Sequence, residues 1–282
     1  MKRFKKKILI FGTGGLLGKY ICSNLKKEKI SFCSFSRSNK NKKHNYFDLN
    51  YKPSSKILLS IKKFDLIIFN AAFLPNKKNL SKNYFLKINT LFLKKIIKIA
   101  KKHNVKIIYI SGILTNNIDL IKKKKIFNKE NVYYLQSKLA AEKIIINKLS
   151  KKFFLILKTS SLYGSYMDKN KILFKIANNK ITNPENLDNK ILYNFVHADD
   201  FARYIIFSIK QNYNGIKVYA SKNNFTLRSI YNFYNKGKYL KKSKTSIKLY
   251  SFSAKSLISS KFANKISIKR GLILLKRNKK NG

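Results

Sequence analysis

The chain has 282 residues, 44% of them hydrophobic, which is enough to bury one large core or two modest ones. Its charge is extreme, with 63 Lys and Arg against 11 Asp and Glu and a formal net of +52. Only six of those cations are arginine, the residue that phosphate and base recognition favours, and the lysines are spread along the whole chain with Asn and Ile, so composition argues against specific nucleic-acid binding.

No stretch approaches the length of a membrane span. The basic start, Met1 to Lys7, imitates a signal peptide. The apolar run behind it is broken by glycines and Lys19, and no small-residue cleavage site follows. Cys22 and Cys33 show neither metal-ligand spacing nor a disulfide framework. The expectation is a cytoplasmic protein with no metal centre.

In chain order, Ile8 to Phe11 reads as a strand that runs into Gly12-Thr13-Gly14-Gly15-Leu16-Leu17-Gly18, followed by an amphipathic helix carrying Leu16, Leu17, Tyr20, Ile21 and Leu25. A turn of this kind points free N–H groups and a positive helix end at one spot, which suits a pyrophosphate. The spacing is G-x-x-G-x-x-G through Gly12, Gly15 and Gly18, one residue longer than the common dinucleotide fingerprint. Residues 30–35 form a second strand that ends in Ser36-Arg37-Ser38. An arginine at this strand end accommodates a 2′-phosphate, which tilts the reading toward NADP over NAD.

Asp48 follows a basic loop, and residues 56–63 suit a short helix. A third buried strand, 64–72, ends in Asn70-Ala71-Ala72, whose small side chains let a flat ligand approach the backbone. A long helical period covers 81–102, a strand covers 105–110 and opens into Ser111, and 116–131 reads as a polar linker. A helix then holds Tyr133 to Glu142, and a fifth strand, 153–157, leads to Leu162-Tyr163-Gly164. This alternation predicts an α/β fold of Rossmann type, a doubly wound parallel sheet over residues 1–164. Residues 165–282 form a small C-terminal substrate lobe in this reading, with about 194–220 returning to the sheet. Residues 165–193 show no clear period, Asp199 or Asp200 is placed to cap the helix carrying Phe201 to Ile209, Thr226 caps another, and the last fifty residues are basic and weakly patterned.

Tyr134 and Lys138 stand four apart on one helix, hence on one face. An ammonium at about 5 Å, at an effective dielectric of about 20, stabilises a phenolate by roughly 3 kcal/mol, or about two pKa units. That would bring a phenol toward neutral pH, where it can exchange a proton with a hydroxyl or carbonyl while hydride moves to or from a nicotinamide.

Taken together, Phe11 to Gly18, Asp48-Leu49, Asp65 to Ala72, Asn89-Thr90, Ser111, Tyr134 to Glu142, Leu162 to Gly164, Phe195 to Asp200 and Gly215 to Thr226 resemble, in order, the extended short-chain dehydrogenase/reductases, specifically the NAD-dependent epimerase/dehydratase group that acts on sugar nucleotides. The resemblance implies that Gly12, Gly15, Leu16 and Leu17 wrap the pyrophosphate. It puts Asp48 and Leu49 at the adenine, Ala71 and Ala72 along the dinucleotide, Asn89 in the cofactor site and Lys138 at the nicotinamide ribose. Tyr134 would be the acid/base, while His197 and Asp200 would be buried structural groups.

Several departures narrow this reading. The family's hydroxyl after the fourth strand falls at Gly112 or Ile113, leaving Ser111 first and Thr115 second as candidates. The acidic pair of the family's dehydratases is replaced by Thr115-Asn116-Asn117, and Lys158-Thr159 stands for the common Arg-Pro. Phe11 and Asn70-Ala71-Ala72 lean toward the dTDP-4-dehydrorhamnose reductase branch. The resulting expectation is an NAD(P)-dependent reductase or epimerase of a nucleotide-linked sugar, serving cell-surface polysaccharide synthesis, with room for a homodimer. The alternatives are a cofactor-binding module of the same fold that has lost catalysis, and a nucleic-acid binder.

Overall fold

The computed structural model describes residues 6–36, 45–46, 49, 55–75, 79–235, 247–248 and 264–277. Its main sheet starts from strands whose side chains are buried on both faces, as a parallel sheet covered by helices on two sides requires. β1 (Ile8–Phe11), β2 (Phe32–Ser36), β3 (Asn45–Tyr46) and β4 (Leu66–Phe69) alternate with α1 (Leu16–Lys27) and α2 (Ser55–Ser60). The chain continues through α3 (Lys82–Lys102), β5 (Lys106–Gly112), α4 (Ile118–Lys123), α5 (Lys129–Lys148) and β6 (Phe154–Thr159). It then forms β7 (Ser161–Tyr163), α6 (Ile172–Ala177), β8 (Ile191–His197), α7 (Ala198–Lys210) and β9 (Gly215–Tyr219). β10 (Asn224–Phe225), α8 (Leu227–Asn235), β11 (Ile247–Lys248) and α9 (Ile268–Arg277) complete the described elements.

Seven strands lie in the order β3-β2-β1-β4-β5-β6-β9, all parallel. This is the expected doubly wound Rossmann arrangement. The strand order reverses between β1 and β4, and the crevice beyond their carboxyl ends is where such sheets bind ligands. Alternate residues divide the core. Ile8, Ile10, Ile68, Ile108, Ile110, Leu155 and Leu157 face α1 and α7, while Leu9, Phe11, Ile67, Phe69, Ile107, Tyr109 and Ile156 face α3 and α5. Phe11 packs with Phe35, Phe69 and Phe92 at ring-centroid distances of 5.4–5.8 Å for three of its pairs, which accounts for an aromatic residue beside the glycine turn.

A second sheet is built on β8, which pairs with β7, β10 and β11. Within the stretch 194–220, therefore, α7 and β9 join the main layers and β8 does not. The chain's last described helix is tied to this sheet's end. Asp200, fully buried, pairs with Arg203 and accepts from the Ile266 N–H at 2.9 Å, and the Tyr163 hydroxyl donates to the Ser267 carbonyl at 3.3 Å. Gly271 lies where a Cβ would stand 2.3 Å from that tyrosine oxygen.

Three stretches carry more order than their sequence shows. The linker 116–131 contains α4, whose Ile118 and Ile121 are buried with Ile113, Leu135 and Ala220. Within 165–193, α6 buries Leu173, Phe174 and Ile176, and α9 buries Leu272 and Leu275. All three helices are short, and two of them run to only six residues, too few turns for a period to emerge among lysines and asparagines. The cap of α7 also differs from the expectation. His197 is the capping residue, with Nδ1 accepting from the Asp199 N–H at 3.2 Å. Asp199 instead accepts from Asn24 at 2.7 Å, and Asp200 serves the C-terminal contact. Thr226 does cap α8, its hydroxyl accepting from the Ser229 N–H at 3.1 Å.

Candidate active site

The glycine turn is held from three sides. Gly12 donates its N–H to the Phe35 carbonyl at 3.0 Å, and its own carbonyl accepts from the Asn70 side chain at 3.0 Å. Gly12 has φ +90°, and a Cβ there would lie 2.7 Å from the Ala71 nitrogen, so both conformation and space demand glycine. A Cβ at Gly18 would sit 2.2 Å from the Gly12 carbonyl oxygen, which sets how tightly α1 packs on the turn. Gly15 is different. A Cβ there meets only the Gly12 oxygen at 4.0 Å, so its front is open, and it begins α1 with no side-chain cap. Thr13 is buried, and among the described residues its hydroxyl has no partner.

An open glycine front, uncapped helix N–H groups and an orphan hydroxyl fit the pyrophosphate of a dinucleotide. Leu16 is half-buried against the α1 core and Leu17 is buried within it. Ala71 and Ala72 are half-buried at the end of β4, beside the turn. Leu49 packs against the core on the α3 side, whereas Arg37 and Asp48 lie outside the described residues. Asn89 is buried and its amide makes three hydrogen bonds. It accepts from the Phe73 N–H at 2.7 Å and donates to the Phe73 carbonyl at 3.3 Å and the Ser137 hydroxyl at 2.8 Å. It shapes the wall after β4 and ties it to α5.

Across the sheet ends, α5 brings Tyr134 and Lys138 to the carboxyl end of β5. The Lys138 ammonium is buried, donates to the Ile110 carbonyl at 2.6 Å and lies 4.0 Å from the centre of the Tyr109 ring. Burial pulls its pKa down to about 7, and the Glu142 carboxylate one turn on opposes that fall. Tyr134 is half-buried, and its hydroxyl makes no hydrogen bond among the described residues. Its pKa is pushed up to about 12 by burial. Lys138 does not lower it, because its ammonium is directed to a strand carbonyl and the Tyr109 ring. At neutral pH the phenol carries its proton.

Ser111 and Thr115 are both present, both buried, and both turned to Glu142, to whose Oε1 they donate at 2.5 and 3.0 Å. Lys158 completes the cluster, 2.7 Å from Glu142 Oε2. Sequence reasoning missed this group. Its signals were an acid in a chain with few, one turn beyond Lys138, and a lysine in place of the family's arginine. Gly112 is the position between the two candidate hydroxyls, and a Cβ there would meet nothing closer than the Thr159 carbonyl oxygen at 3.9 Å.

His197 and Asp200 act as structure. The imidazole sits between Tyr20 and Tyr163, at ring distances of 5.5 and 5.2 Å, and burial lowers its pKa to about 4. A groove of about 500 Å³ lies elsewhere, at the far ends of α3 and α5, where Lys94, Lys98, Lys101, Lys143 and Lys148 rim Ile97 and Ile144. It starts nine residues beyond Tyr134 along α5, roughly 13 Å at 1.5 Å per residue, and takes no part in the site. Among the described residues no group of side chains could hold a metal ion, and no helix is long and apolar enough to cross a membrane.

A parallel sheet with reversed strand order and a glycine turn at its switch point make up a Rossmann-type fold, with Tyr134 and Lys138 across the crevice from the turn. The model of the NAD dependent epimerase/dehydratase family matches residues 8–220, and the chain belongs to that family. No curated protein sequence gives a match. Among solved structures the fold is similar to a UDP-N-acetylglucosamine 4-epimerase from Bacillus cereus (TM-score 0.70, 17% identity, 99% of this chain and 98% of that one). It is also similar to a UDP-glucuronic acid 4-epimerase from Bacillus cereus in complex with NAD (0.71, 16%, 97% and 98%) and to the Thermus thermophilus UDP-glucose 4-epimerase with NAD (0.69, 14%, 98% and 99%). At these identities the likeness is one of fold.

Proposed function

We propose that the protein is an NAD(P)-dependent reductase or epimerase of a nucleotide-linked hexose, acting in cell-surface polysaccharide synthesis. The observation that carries the reading is the pairing of the open glycine cradle with Tyr134 and Lys138 at opposite sides of one crevice. Family membership and the UDP-sugar epimerases that share the fold support the substrate class. Gly12, Gly15 and the α1 N–H groups hold the pyrophosphate, Ala71 and Ala72 give the dinucleotide backbone a flat wall, and Lys138 leaves the Ile110 carbonyl to hold the ribose. The bound nicotinamide supplies the hydride acceptor or donor. Tyr134, protonated at neutral pH, gives its proton to a sugar oxygen as a 4-keto group is reduced, and takes it back in the reverse direction once Lys138 has moved closer. The 2′-phosphate preference rests on Arg37 and stays part of the proposal, as does a homodimer.

One observation favours a second reading, a cofactor-binding module without turnover. Both candidate hydroxyls are bonded to Glu142, and Gly112 offers no side chain to polarise a substrate oxygen. Titration with NADPH and NADH, followed by turnover on a panel of nucleotide 4-keto sugars and UDP-hexoses, separates the two. Cofactor binding with turnover supports the enzyme, and tight binding with no turnover on any substrate supports the module.

A further inference from the structure

The chemistry above leaves a buried ion pair unused. Glu142 is 3% exposed and Lys158 5%, and their charged atoms are 2.7 Å apart. The Lys158 ammonium also donates to the Thr115 hydroxyl at 3.0 Å and to the Asn116 side-chain oxygen at 2.6 Å. Glu142 accepts in addition from Ser111 at 2.5 Å and Thr115 at 3.0 Å. All three ammonium protons are used, and strands β5 and β6, the turn after β5 and helix α5 meet in one network. A buried pair of this kind is a weak source of stability, since apolar side chains of similar size hold elements together as well or better. Its placement suggests another role. Glu142 lies four residues beyond Lys138 on the same face of α5, and Ser111 directly follows the carbonyl that Lys138 holds.

We infer that Glu142 and Lys158 are positioning residues that aim Lys138 at the carboxyl end of β5 and set its charge between them, Glu142 favouring the ammonium and Lys158 tempering that pull, with Ser111 and Thr115 serving this network and not the substrate. The inference rests on the reading above, in which Lys138 holds the cofactor's ribose. Among the described residues the titratable groups around Lys138 are Tyr109 on β5, Tyr134 and Glu142 on its own helix, and Lys158 on β6 behind Glu142, and α3 places the neutral Asn89 against Ser137, the residue before Lys138. The sign of each perturbation follows. Removing the carboxylate lets burial pull Lys138 further below its present value of about 7, and removing the Lys158 charge frees Glu142 to hold Lys138 charged to higher pH.

The test is NADH and NADPH binding, read by fluorescence from about pH 6 to about pH 9, across the Lys138 value of about 7. The proteins compared are the unmodified chain, Glu142→Gln, Lys158→Met and the double variant. The double variant leaves no buried charge unpaired and keeps the test alive if a single variant fails to fold. Affinity should fall as pH rises through the Lys138 pKa. Glu142→Gln should move the midpoint of that fall about one unit to the acid side, and Lys158→Met should move it to the alkaline side. A purely structural network would lower the melting temperature of the variants and leave the midpoints together. Coincident midpoints in folded variants overturn the inference and spare the cofactor reading. Failure of the unmodified chain to bind either cofactor overturns that reading and the inference with it.

Discussion

Gly112→Ser is the most informative single change. Gly112 has φ −111° and ψ 145°, an extended backbone any residue adopts, and the nearest neighbour to an added Cβ is 3.9 Å away. The residue opens the tight turn Ile113–Asn117 and offers it no side-chain bond. Replacing glycine at a compatible backbone stabilises by about 0.4–1 kcal/mol through the unfolded chain, and the new cap adds a few tenths. The sum is about 1 kcal/mol, or about 2–4 °C in melting temperature for a protein of this size. At the site, the hydroxyl would stand at one of the two positions, Gly112 or Ile113, where the resemblance puts the family's own. A preorganised donor to a developing oxyanion is worth about 3 kcal/mol, or about a hundredfold in kcat. Melting curves and turnover on nucleotide 4-keto sugars, run side by side, measure both effects. A folded, cofactor-binding Gly112→Ser protein with unchanged turnover would refute the claim that the site lacks this group, and a loss of more than about 1 kcal/mol would refute the claim that it has room.

Other expectations follow from the same geometry. Tyr134→Phe should abolish turnover while cofactor affinity stays within about threefold, because its hydroxyl holds no other described residue in place and its loss disturbs no wall of the crevice. Gly18→Ala should destabilise by about 3 kcal/mol or more in denaturant titration, since its Cβ would meet backbone at 2.2 Å. Lys138 is pulled from an ordinary 10.5 to about 7, so the unfolded chain holds its proton more tightly between those values. Stability should rise with pH across that window, and Lys138→Met should flatten the slope in denaturant titrations at several pH values. A twofold pairing through the α3–α5 groove would bring five lysines of each copy together. Any dimer formed there should strengthen between low salt and about 0.5 M salt by light scattering, and a salt-independent dimer would place the interface elsewhere.

The main sheet could be read in the sequence because its strands are continuous apolar runs and its long helices repeat over many turns. The α4, α6 and α9 helices escaped, since their buried faces hold two to four apolar residues amid lysines. That Tyr134 and Lys138 share one face of α5 was legible from their spacing, and their reading as a pair came from the motifs around them. The pair's electrostatics were not legible, because spacing says nothing of the Ile110 carbonyl that draws the ammonium away. Ser111 and Thr115 show a related limit. Their positions in the chain suit a substrate contact, but a side chain at a strand end can turn to either face, and a carboxylate 31 and 27 residues away decided it. The bonds of the Asn89 amide to Phe73 and Ser137, 16 and 48 residues away, were likewise beyond the reach of spacing.

The contacts of α9 bear on the order in which the molecule assembles. Strands β1 to β5 pair only with strands no later than β6, so these layers can form as the chain lengthens. The second sheet cannot close in the same way. Asp200 waits for an amide 66 residues further on, and Tyr163 for a carbonyl 104 residues further on. Until then a buried carboxylate lacks one of its donors, at a cost of about 1–3 kcal/mol. Folding of the cofactor half should therefore precede that of the other half, and clipping the chain ahead of residue 264 should loosen β7, β8 and the start of α7 first.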